Sequence, residues 1–319
     1  MGDFRPTASW DNLRLRAGLL RKTREFFHRH GLLEVETPLL SADTVVDRHL
    51  DPFHVTAESS GQELWLQTSP EFCMKRMLAD GARAIYQITR AFRQDELGPL
   101  HNPEFTIVEW YRVGDGPDEA MQLLADLCQT LLDCGPVQRI SYAEAFERHV
   151  GLNPHTADTE MLVRTVEQHA IQRPSSLSVD DRDGWLDLLL VELVEPHLGN
   201  TAPVIVYDYP ASQAALARIR PDEPPVAERF ELYVAGIELA NGYHELVDPA
   251  ELERRNAQSN QQRLADGKRP LPEQSRLIAA MQSGLPSAAG VALGFDRLVM
   301  LAAGATRLDA VIAFPQDRA

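Results

Sequence analysis

The segment FRQDELGPLHNPEFTIVEWYR, residues 92–112, combines residue types that can hold an anion with residue types that can hold a cation. Arg93 and His101 flank its loop, where they could contact phosphate oxygens. In the run that follows, strand alternation places Glu109 and Tyr111 on one face, beside an aromatic ring. A carboxylate and a phenol so placed could grip an ammonium group below a stacked planar ring. Periodicity alone instead favours an amphipathic hairpin with a solvated acidic face.

A second pair of acids lies in RFELYVAGIELANGYHEL, residues 229–246, which has the pattern of a β-hairpin. If residues 235–236 form a two-residue turn, Glu231 pairs with Ala240 across the hairpin. Glu238 then lies on the same face as Ala240 and diagonal to Glu231, with the two Cβ atoms about 7 Å apart. Two carboxylates so placed can bracket Mg²⁺, which prefers carboxylates plus substrate phosphates. The alternative is a pair of solvent-facing acids.

The run GVALGFDR, residues 290–297, brings two glycines to a strand–helix junction, where small residues permit close approach of a ligand. Arg297 could contact a triphosphate there. The alternative is an ordinary helix N-terminus, with Asp296 facing the helix dipole. Glu71 has the same alternative, because it lies at the start of a predicted helix. The sequence has no GxxxxGK(S/T) run, so a nucleotide site here would not be a P-loop.

The segments that carry this chemistry need a sheet to hold them, and the sequence predicts one. Besides the 229–246 hairpin and the run from Gly290, strands are predicted at 35–38, 63–67, 84–92 and 104–112. Helices are predicted at 9–31, 117–133, 180–198 and 250–283, the last of them broken at 267–272. Ser69 is expected to cap a further helix with Pro70 at its first position, and 171–184 is expected to be a surface loop. Strands interspersed with helices, some joined by a hairpin, indicate an α+β fold with a mostly antiparallel sheet.

Composition narrows the class of protein. The chain has 319 residues, enough for one large core or two modest domains. Its formal net charge of −16 argues against a generic nucleic-acid binder. The sequence contains neither a membrane-spanning apolar run nor the apolar stretch of a secretory signal. The three cysteines lack CxxC spacing, which is typical of reduced thiols in a cytosolic protein.

Three runs resemble, in order, the three motifs of class II aminoacyl-tRNA synthetases: LLEVETP, FRQDE with HNPEFT, and GVALGFDRL. The runs TSPE, HNPEF and ELANGYHEL are similar to the lysyl branch of that family. The resemblance implies the family's catalytic core, an α+β fold with a mostly antiparallel sheet flanked by helices. Because the helix of motif 1 begins near Ser9, we expect a single catalytic domain over 1–319, without an N-terminal OB-fold anticodon-binding domain.

That organisation resembles a truncated branch of the family, and the resemblance implies its activity. ATP, with Mg²⁺, would activate (R)-β-lysine as an aminoacyl-adenylate. The acyl group would then pass to the ε-amino group of a lysine on elongation factor P, without productive tRNA binding. A cytoplasmic homodimer with no membrane association is also implied. The alternatives are a lysine-activating enzyme that acts on tRNA or another amine, an inactive regulator that binds amino acid or nucleotide, and a structural scaffold.

The resemblance also implies residue roles. Catalysis would rest on Arg93, which would bind the α-phosphate, and on Arg297. ATP would be bound in addition by Gln94, Asp95, His101, Asn102, Phe105, Glu238, Leu239 and Gly294. Mg²⁺ would be organised by Glu231 and Glu238. The amino-acid substrate would be surrounded by Ser69, Pro70, Glu71, Glu109, Tyr111, Asn241, Tyr243, Glu245 and Ala292.

Two departures from the family pattern affect the phosphate and adenine contacts. The family's FRNE is here Arg93-Gln94-Asp95-Glu96, which leaves the adenine-contacting acid as either Asp95 or Glu96. Lysyl-tRNA synthetases also have an arginine just before HNPEF, where this chain has Leu100. One phosphate contact is therefore either missing or supplied from elsewhere.

A third departure gives a testable hypothesis. The family's motif 3 has three alternating glycines, and the middle one is here Ala292. We hypothesise that its methyl group favours an amino group on the β carbon over one on the α carbon. Ala292→Gly is then expected to raise kcat/KM for α-lysine in ATP–pyrophosphate exchange by roughly 10- to 200-fold, the effect of about 1–3 kcal/mol. A variant that gains nothing on α-lysine would contradict the hypothesis.

Overall fold

Twelve strands are present in the computed structural model, which describes residues 4–319. They are β1 Leu33–Glu34, β2 Leu40–Ser41, β3 His54–Thr56, β4 Glu63–Leu66, β5 Ala84–Phe92, β6 Glu104–Val113, β7 Gln138–Ser141, β8 Val204–Pro210, β9 Ile219–Arg220, β10 Val226–Val234, β11 Ile237–His244 and β12 Ala288–Gly294. Nine of them form one sheet in the order β1-β5-β6-β12-β11-β10-β8-β7, with β9 beside β10. The other three form a small sheet, β2-β4-β3.

The large sheet is mostly antiparallel, as the sequence predicts. Its parallel pairs are β1 with β5 and β7 with β8, at the two ends of the strand order. The four central strands β6, β12, β11 and β10 pair antiparallel throughout. The α+β class is therefore confirmed.

Helices pack against both faces of the large sheet. The α-helices are α1 Trp10–Arg29, α2 Glu71–Ala79, α3 Pro117–Leu132, α4 Tyr142–His149, α5 Thr159–Gln168, α6 Arg182–Leu189, α7 Pro249–Ala265, α8 Arg276–Gly284 and α9 Phe295–Ala302. A π-helical turn, Leu190–Val194, and a 3-10 turn, Glu195–His197, extend α6. Among residues 4–319, no helix combines the length and apolarity needed to cross a bilayer.

Because side chains alternate along each strand, the large sheet has one face packed against α1, α3 and α9 and an opposite face that carries polar side chains. Val108 and Trp110 of β6 belong to the largest core cluster, together with residues of α1, α3 and α9. Glu109 and Tyr111, between and beside them, point to the opposite face. The apolar positions of β6 thus anchor the sheet on three helices and leave its polar positions facing away from them.

The hairpin contains a bulge that the sequence does not predict. Val234 pairs with Ile237, as expected for a two-residue turn. Glu231, however, pairs with Asn241 and not with Ala240, because the register shifts by one residue at Leu239. The predicted pairing of Glu231 was therefore wrong. A bulge inserts one extra residue into one strand. Beyond the bulge, each side chain of that strand points to the opposite face of the sheet from the one that strict alternation predicts.

Two element boundaries also differ from the predictions. The strand expected at 35–38 lies instead at Leu33–Glu34, which pairs with Ile85 and Tyr86 of β5. The helix after TSPE begins at Glu71, with Pro70 as its N-cap residue and no side-chain cap, so Ser69 is not the cap. The 171–184 loop is confirmed as far as residue 181, where α6 follows.

A buried ion pair joins α9 to the sheet and to α1. Oδ2 of Asp296 accepts a hydrogen bond from the backbone nitrogen of Thr106 at 2.8 Å, and its Oδ1 lies 2.6 Å from Nη1 of Arg16. The same guanidinium donates to Oγ1 of Thr106 at 2.7 Å. Both charged side chains are nearly buried. The pair therefore fixes the start of α9, and with it Arg297, against β6.

Replacing Asp296 with alanine would leave the Arg16 charge buried without its partner. Asp296→Ala is expected to lower the free energy of unfolding in urea by about 3–5 kcal/mol. Asp11→Ala, which breaks an exposed pair with Arg14, is the control and is expected to cost less than about 1 kcal/mol. Similar losses in the two variants would contradict this assignment.

Candidate active site

Side chains of directly paired residues on the four central strands form the floor of a cavity of about 620 Å³. In one row, Glu109 of β6 lies opposite Ala292 of β12, which lies opposite Asn241 of β11, which lies opposite Glu231 of β10. Directly paired residues in a sheet point to the same face. This row therefore places two carboxylates and an amide on the face away from α1, α3 and α9.

The adjacent row provides the aromatic part of the floor. Tyr111, Gly290, Tyr243 and Arg229 are paired in turn across the same four strands. A Cβ atom on Gly290 would come within 2.4 Å of both the Tyr111 ring and Oε1 of Glu245. Glycine is required at this position because these two groups lie against its Cα. Residues 45–50, residues 211–216 and part of α7 form the opposite wall of the cavity.

Glu109 is the most deeply placed acid of the floor. It is 1 % exposed, and its Oε1 accepts a hydrogen bond from the Tyr111 hydroxyl at 2.6 Å. Its Oε2 has no hydrogen-bond partner among residues 4–319. Burial and the nearby Glu71 carboxylate raise the pKa of Glu109 to about 8. The geometry thus leaves a buried oxygen beside the cavity, which becomes an acceptor for a positively charged donor when Glu109 releases its proton.

Two further carboxylates share one buried lysine beside Glu109. Nζ of Lys75 lies 2.5 Å from Oε1 of Glu71 and 2.5 Å from Oε2 of Glu245. Burial raises the pKa of Glu245 to about 7, against the opposing pull of Lys75. Sequence analysis missed Lys75, although its spacing of four residues from Glu71 on a predicted helix is typical of an ion pair.

Glu231 is neutralised within the protein. Its Oε2 accepts hydrogen bonds from the hydroxyls of Tyr209 and Tyr233, both at 2.6 Å. Its Oε1 accepts from Nη2 of Arg229 at 2.5 Å, and the guanidinium lies over the Tyr209 ring. Sequence analysis missed Tyr209, which lies 22 residues before Glu231 in the chain. It also missed Arg229, although Arg229 lies two residues before Glu231 on the same strand face.

Glu238 is the more accessible of the two acids predicted to hold Mg²⁺. Burial and the neighbouring Glu231 carboxylate raise its pKa. Among residues 4–319, no group of three or more His, Cys, Asp or Glu side chains could hold a metal ion. A carboxylate has about four lone-pair positions, and Glu231 uses three of them. The two acids therefore fit an ion that takes one or two carboxylates and completes its shell with phosphates and water.

Cationic groups gather at the other end of the cavity. Nη1 of Arg297 donates to the backbone oxygen of Glu238 at 2.8 Å, and its Nη2 donates to Nε2 of His101 at 2.7 Å. Burial and Arg297 lower the pKa of His101, which keeps the ring neutral and able to accept that bond. The Arg93 guanidinium lies 5.0 Å from the centre of the Phe105 ring. Two arginines and an aromatic ring thus face the same space as Glu238.

The cavity brings together most of the predicted site residues. It is lined by Ser69, Glu71, Arg93, His101, Asn102, Phe105, Glu109, Tyr111, Glu231, Glu238, Leu239, Asn241, Tyr243, Glu245, Ala292, Gly294 and Arg297. Asn102 has a structural task as well, since its side chain bonds the backbone of Glu104 and Gln316.

Three predicted residues do not line the cavity. Gln94 and Asp95 are exposed on the loop after β5, where the backbone of Gln94 bonds Asp51 and Asp95 adopts φ +63°. Glu96 lines the cavity instead, so the turn at Asp95 carries the acid one residue further along the chain. Pro70 is buried beneath the start of α2.

Comparison with known proteins gives a consistent family match. The family model "tRNA synthetases class II (D, K and N)" matches residues 2–318. The chain is 46% identical over 320 residues to a protein of Salmonella arizonae named elongation factor P--(R)-beta-lysine ligase, with 99% of this chain and 98% of the relative covered. It is 47% identical over 320 residues to the protein of that name in Vibrio vulnificus, with 98% of each covered.

The raised pKa of Glu109 predicts how stability depends on pH. Between its ordinary pKa of 4.5 and about 8, the folded protein holds a proton on Glu109 that the unfolded chain has lost. Stability therefore falls as pH rises through this window. Glu109→Gln, which is always neutral, is expected to flatten the decline in free energy of unfolding from about pH 5 to pH 8.

Denaturant unfolding at several pH values would measure this slope. Glu104→Gln is the matched control, because Glu104 is exposed and pairs with Arg90 at the surface. The control is expected to keep the slope of the unmodified protein. A slope that is equally steep in Glu109→Gln would show that Glu109 is ionised in the folded protein at neutral pH.

Proposed function

The chain belongs to the class II tRNA synthetase family (D, K and N), and we propose that it is an ATP-dependent ligase for elongation factor P. It would activate (R)-β-lysine as an aminoacyl-adenylate and transfer it to the ε-amino group of a lysine on that factor. The observation that carries this proposal is a single cavity with buried carboxylates at one end and arginines at the other. Relatives at 46–47% identity bear the corresponding name.

The acidic end suits a substrate with two ammonium groups. Oε2 of Glu109 and Oε1 of Glu245 are buried and have no hydrogen-bond partner among the residues described. Hydrogen bonds between ammonium groups and carboxylates are stronger than neutral ones. A diamino acid would satisfy both oxygens, whereas an amino acid with one ammonium group would leave one buried acceptor unsatisfied.

The cationic end suits a triphosphate and a purine ring. Arg93 would neutralise the α-phosphate as the substrate carboxylate attacks, and Arg297 with His101 would hold the distal phosphates. Phe105 would stack on adenine, and Glu96 would contact its edge. Since Arg297 is already held by the backbone of Glu238 and by His101, its position requires little reorganisation during the reaction.

Glu231 and Glu238 would hold Mg²⁺ together with substrate phosphates. When bound, the ion would supply positive charge to the oxygens of the departing pyrophosphate. The residues of the chain perform the remaining tasks: they align the substrate carboxylate with the α-phosphate and exclude water from the mixed anhydride.

The second step requires no nucleophile from the enzyme. The acceptor lysine would attack the carbonyl carbon of the adenylate with its neutral ε-amino group. An amide bond forms, the bond from carbon to the phosphate oxygen breaks, and AMP leaves. Two-step activation followed by amine attack therefore rests on positioning and on neutralisation of phosphate charge.

We extend the proposal to the organisation of the protein. A single catalytic domain over 1–319 would form a homodimer through the motif 1 segment, as the family resemblance implies. Productive tRNA binding is not expected, and the net charge of −16 supports this. A cytoplasmic location follows from the proposed acceptor, which is a translation factor.

ATP–pyrophosphate exchange with purified protein tests the activation step. We expect exchange that strongly prefers (R)-β-lysine to α-lysine and is absent without amino acid. Arg297→Ala is expected to lower the exchange rate by about 10²–10³-fold, as loss of one preorganised phosphate donor does. Arg14→Ala, at an exposed site, is the control and is expected to leave the rate unchanged.

Transfer is tested in the same preparation by the mass of elongation factor P after incubation with ATP and (R)-β-lysine. A mass gain of one β-lysyl group is expected. Exchange with α-lysine alone, or aminoacylation of tRNA in place of the factor, would overturn the proposal in favour of a conventional lysine-activating enzyme.

A further inference from the structure

Lys75 is a buried cation to which the proposed reaction gives no task. Its side chain is 2 % exposed, and α2 places it one turn after Glu71. Burial alone would lower its pKa, but Glu245 and Glu71 outweigh that effect and hold the pKa above its ordinary value. Lys75 is therefore charged, and it lies behind the cavity wall where no substrate can reach it.

The titratable groups around Lys75 come from three elements. Besides Glu71 of α2, they are Glu109 and Tyr111 of β6 and, at and after the end of β11, Tyr243 and Glu245. Arg218 approaches from behind and donates to the backbone oxygen of Glu245 at 2.8 Å and to Oγ of Ser287. The phenols are neutral, since burial raises the pKa of both tyrosines. Three carboxylates and one ammonium group thus leave two negative charges facing the cavity once Glu109 has released the proton that its raised pKa retains.

The contacts of Lys75 determine which carboxylate oxygens of the pocket lack a partner in the protein. It occupies Oε1 of Glu71 and Oε2 of Glu245. Oε2 of Glu109 and Oε1 of Glu245 remain without hydrogen-bond partners among residues 4–319. Two open acceptor oxygens and two uncompensated charges match two ammonium groups.

We propose that Lys75 is a specificity-determining positioning residue, which fixes the net charge of the acidic pocket at the value that a doubly cationic amino acid neutralises. This inference rests on the proposed function, because it concerns the pocket for that substrate. Without Lys75, the three adjacent carboxylates would lack a permanent counter-charge and would take up a further proton. Substrate binding would then have to expel that proton.

Titration calorimetry of (R)-β-lysine in buffers with different ionisation enthalpies measures the number of protons released on binding. At pH 7, Lys75→Met is expected to release about one proton more than the unmodified protein. Its affinity is expected to fall at least about 10-fold and to recover partly at pH 9, where the carboxylates ionise more readily. A purely structural role for Lys75 would not produce a loss that high pH reverses.

A charge-balanced variant keeps the test decisive if Lys75→Met folds poorly. Lys75→Met/Glu245→Gln removes one cation and one anion together, so the pocket keeps two negative charges. It is expected to fold, to release on binding as many protons as the unmodified protein, including the one held by Glu109, and to bind more tightly than Lys75→Met. Lys268→Met is the matched control, because Lys268 pairs with Asp51 outside the carboxylate cluster. It is expected to change neither quantity.

The outcomes separate this inference from the proposed function. If the unmodified protein does not bind (R)-β-lysine, the proposed function fails. If it binds, but Lys75→Met releases the same number of protons or the balanced variant is no better than Lys75→Met, only the role of Lys75 is overturned. An added proton that disappears in the balanced variant supports the inference.

Discussion

The antiparallel register of β6, β12, β11 and β10 determines where every charged group of the cavity lies. A slip of one residue in any of these strands would turn its polar row toward the helices and its apolar row toward the cavity. The bulge at Leu239 is part of this constraint. Without it, Glu238 would face the cavity while Asn241, Tyr243 and Glu245 faced the core. One inserted residue therefore keeps Glu238 and the polar residues beyond it on the same face of the sheet.

The cavity concentrates negative charge in a place where burial makes charge costly. Groups of the protein partly offset the cost of burying each carboxylate. Glu231 has two phenols and a guanidinium, Glu71 and Glu245 share Lys75, and Glu109 has one phenol and a raised pKa. The groups least satisfied by the protein are ones that line the cavity. Binding of a cation would supply what folding leaves incomplete.

Sequence patterns predicted the fold well wherever a pattern is local. The strands of β5 and β6, the hairpin turn, α1, α3 and the strand–helix junction at Gly294 all follow from alternation, caps and turn residues. The bulge did not, because nothing local distinguishes Leu239 from its neighbours, and the pairing partner decides the register. The start of α2 at Glu71 differed because Pro70 itself takes the cap position.

The site residues likewise divide into those that the sequence predicted and those that it missed or misplaced. Residues in recognisable motifs, such as Arg93, Glu109 and Arg297, were found from the sequence, and the cavity collects them. Gln94 and Asp95 were assigned by position in a motif, but the turn at Asp95 directs them outward. Lys75 and Tyr209 were missed because their importance lies in contacts between distant segments. A pair such as Lys75 with Glu245 becomes visible only when α2 is packed against the end of β11.

In the proposed function, the buried carboxylates recognise two ammonium groups of one substrate. Calorimetric binding of (R)-β-lysine, compared with its two analogues that lack either the terminal or the β-amino group, tests this most directly. Loss of either amino group should weaken binding by at least about 10-fold, since each leaves a buried charged acceptor unpaired. Equal affinity for (R)-β-lysine and either analogue would contradict the account.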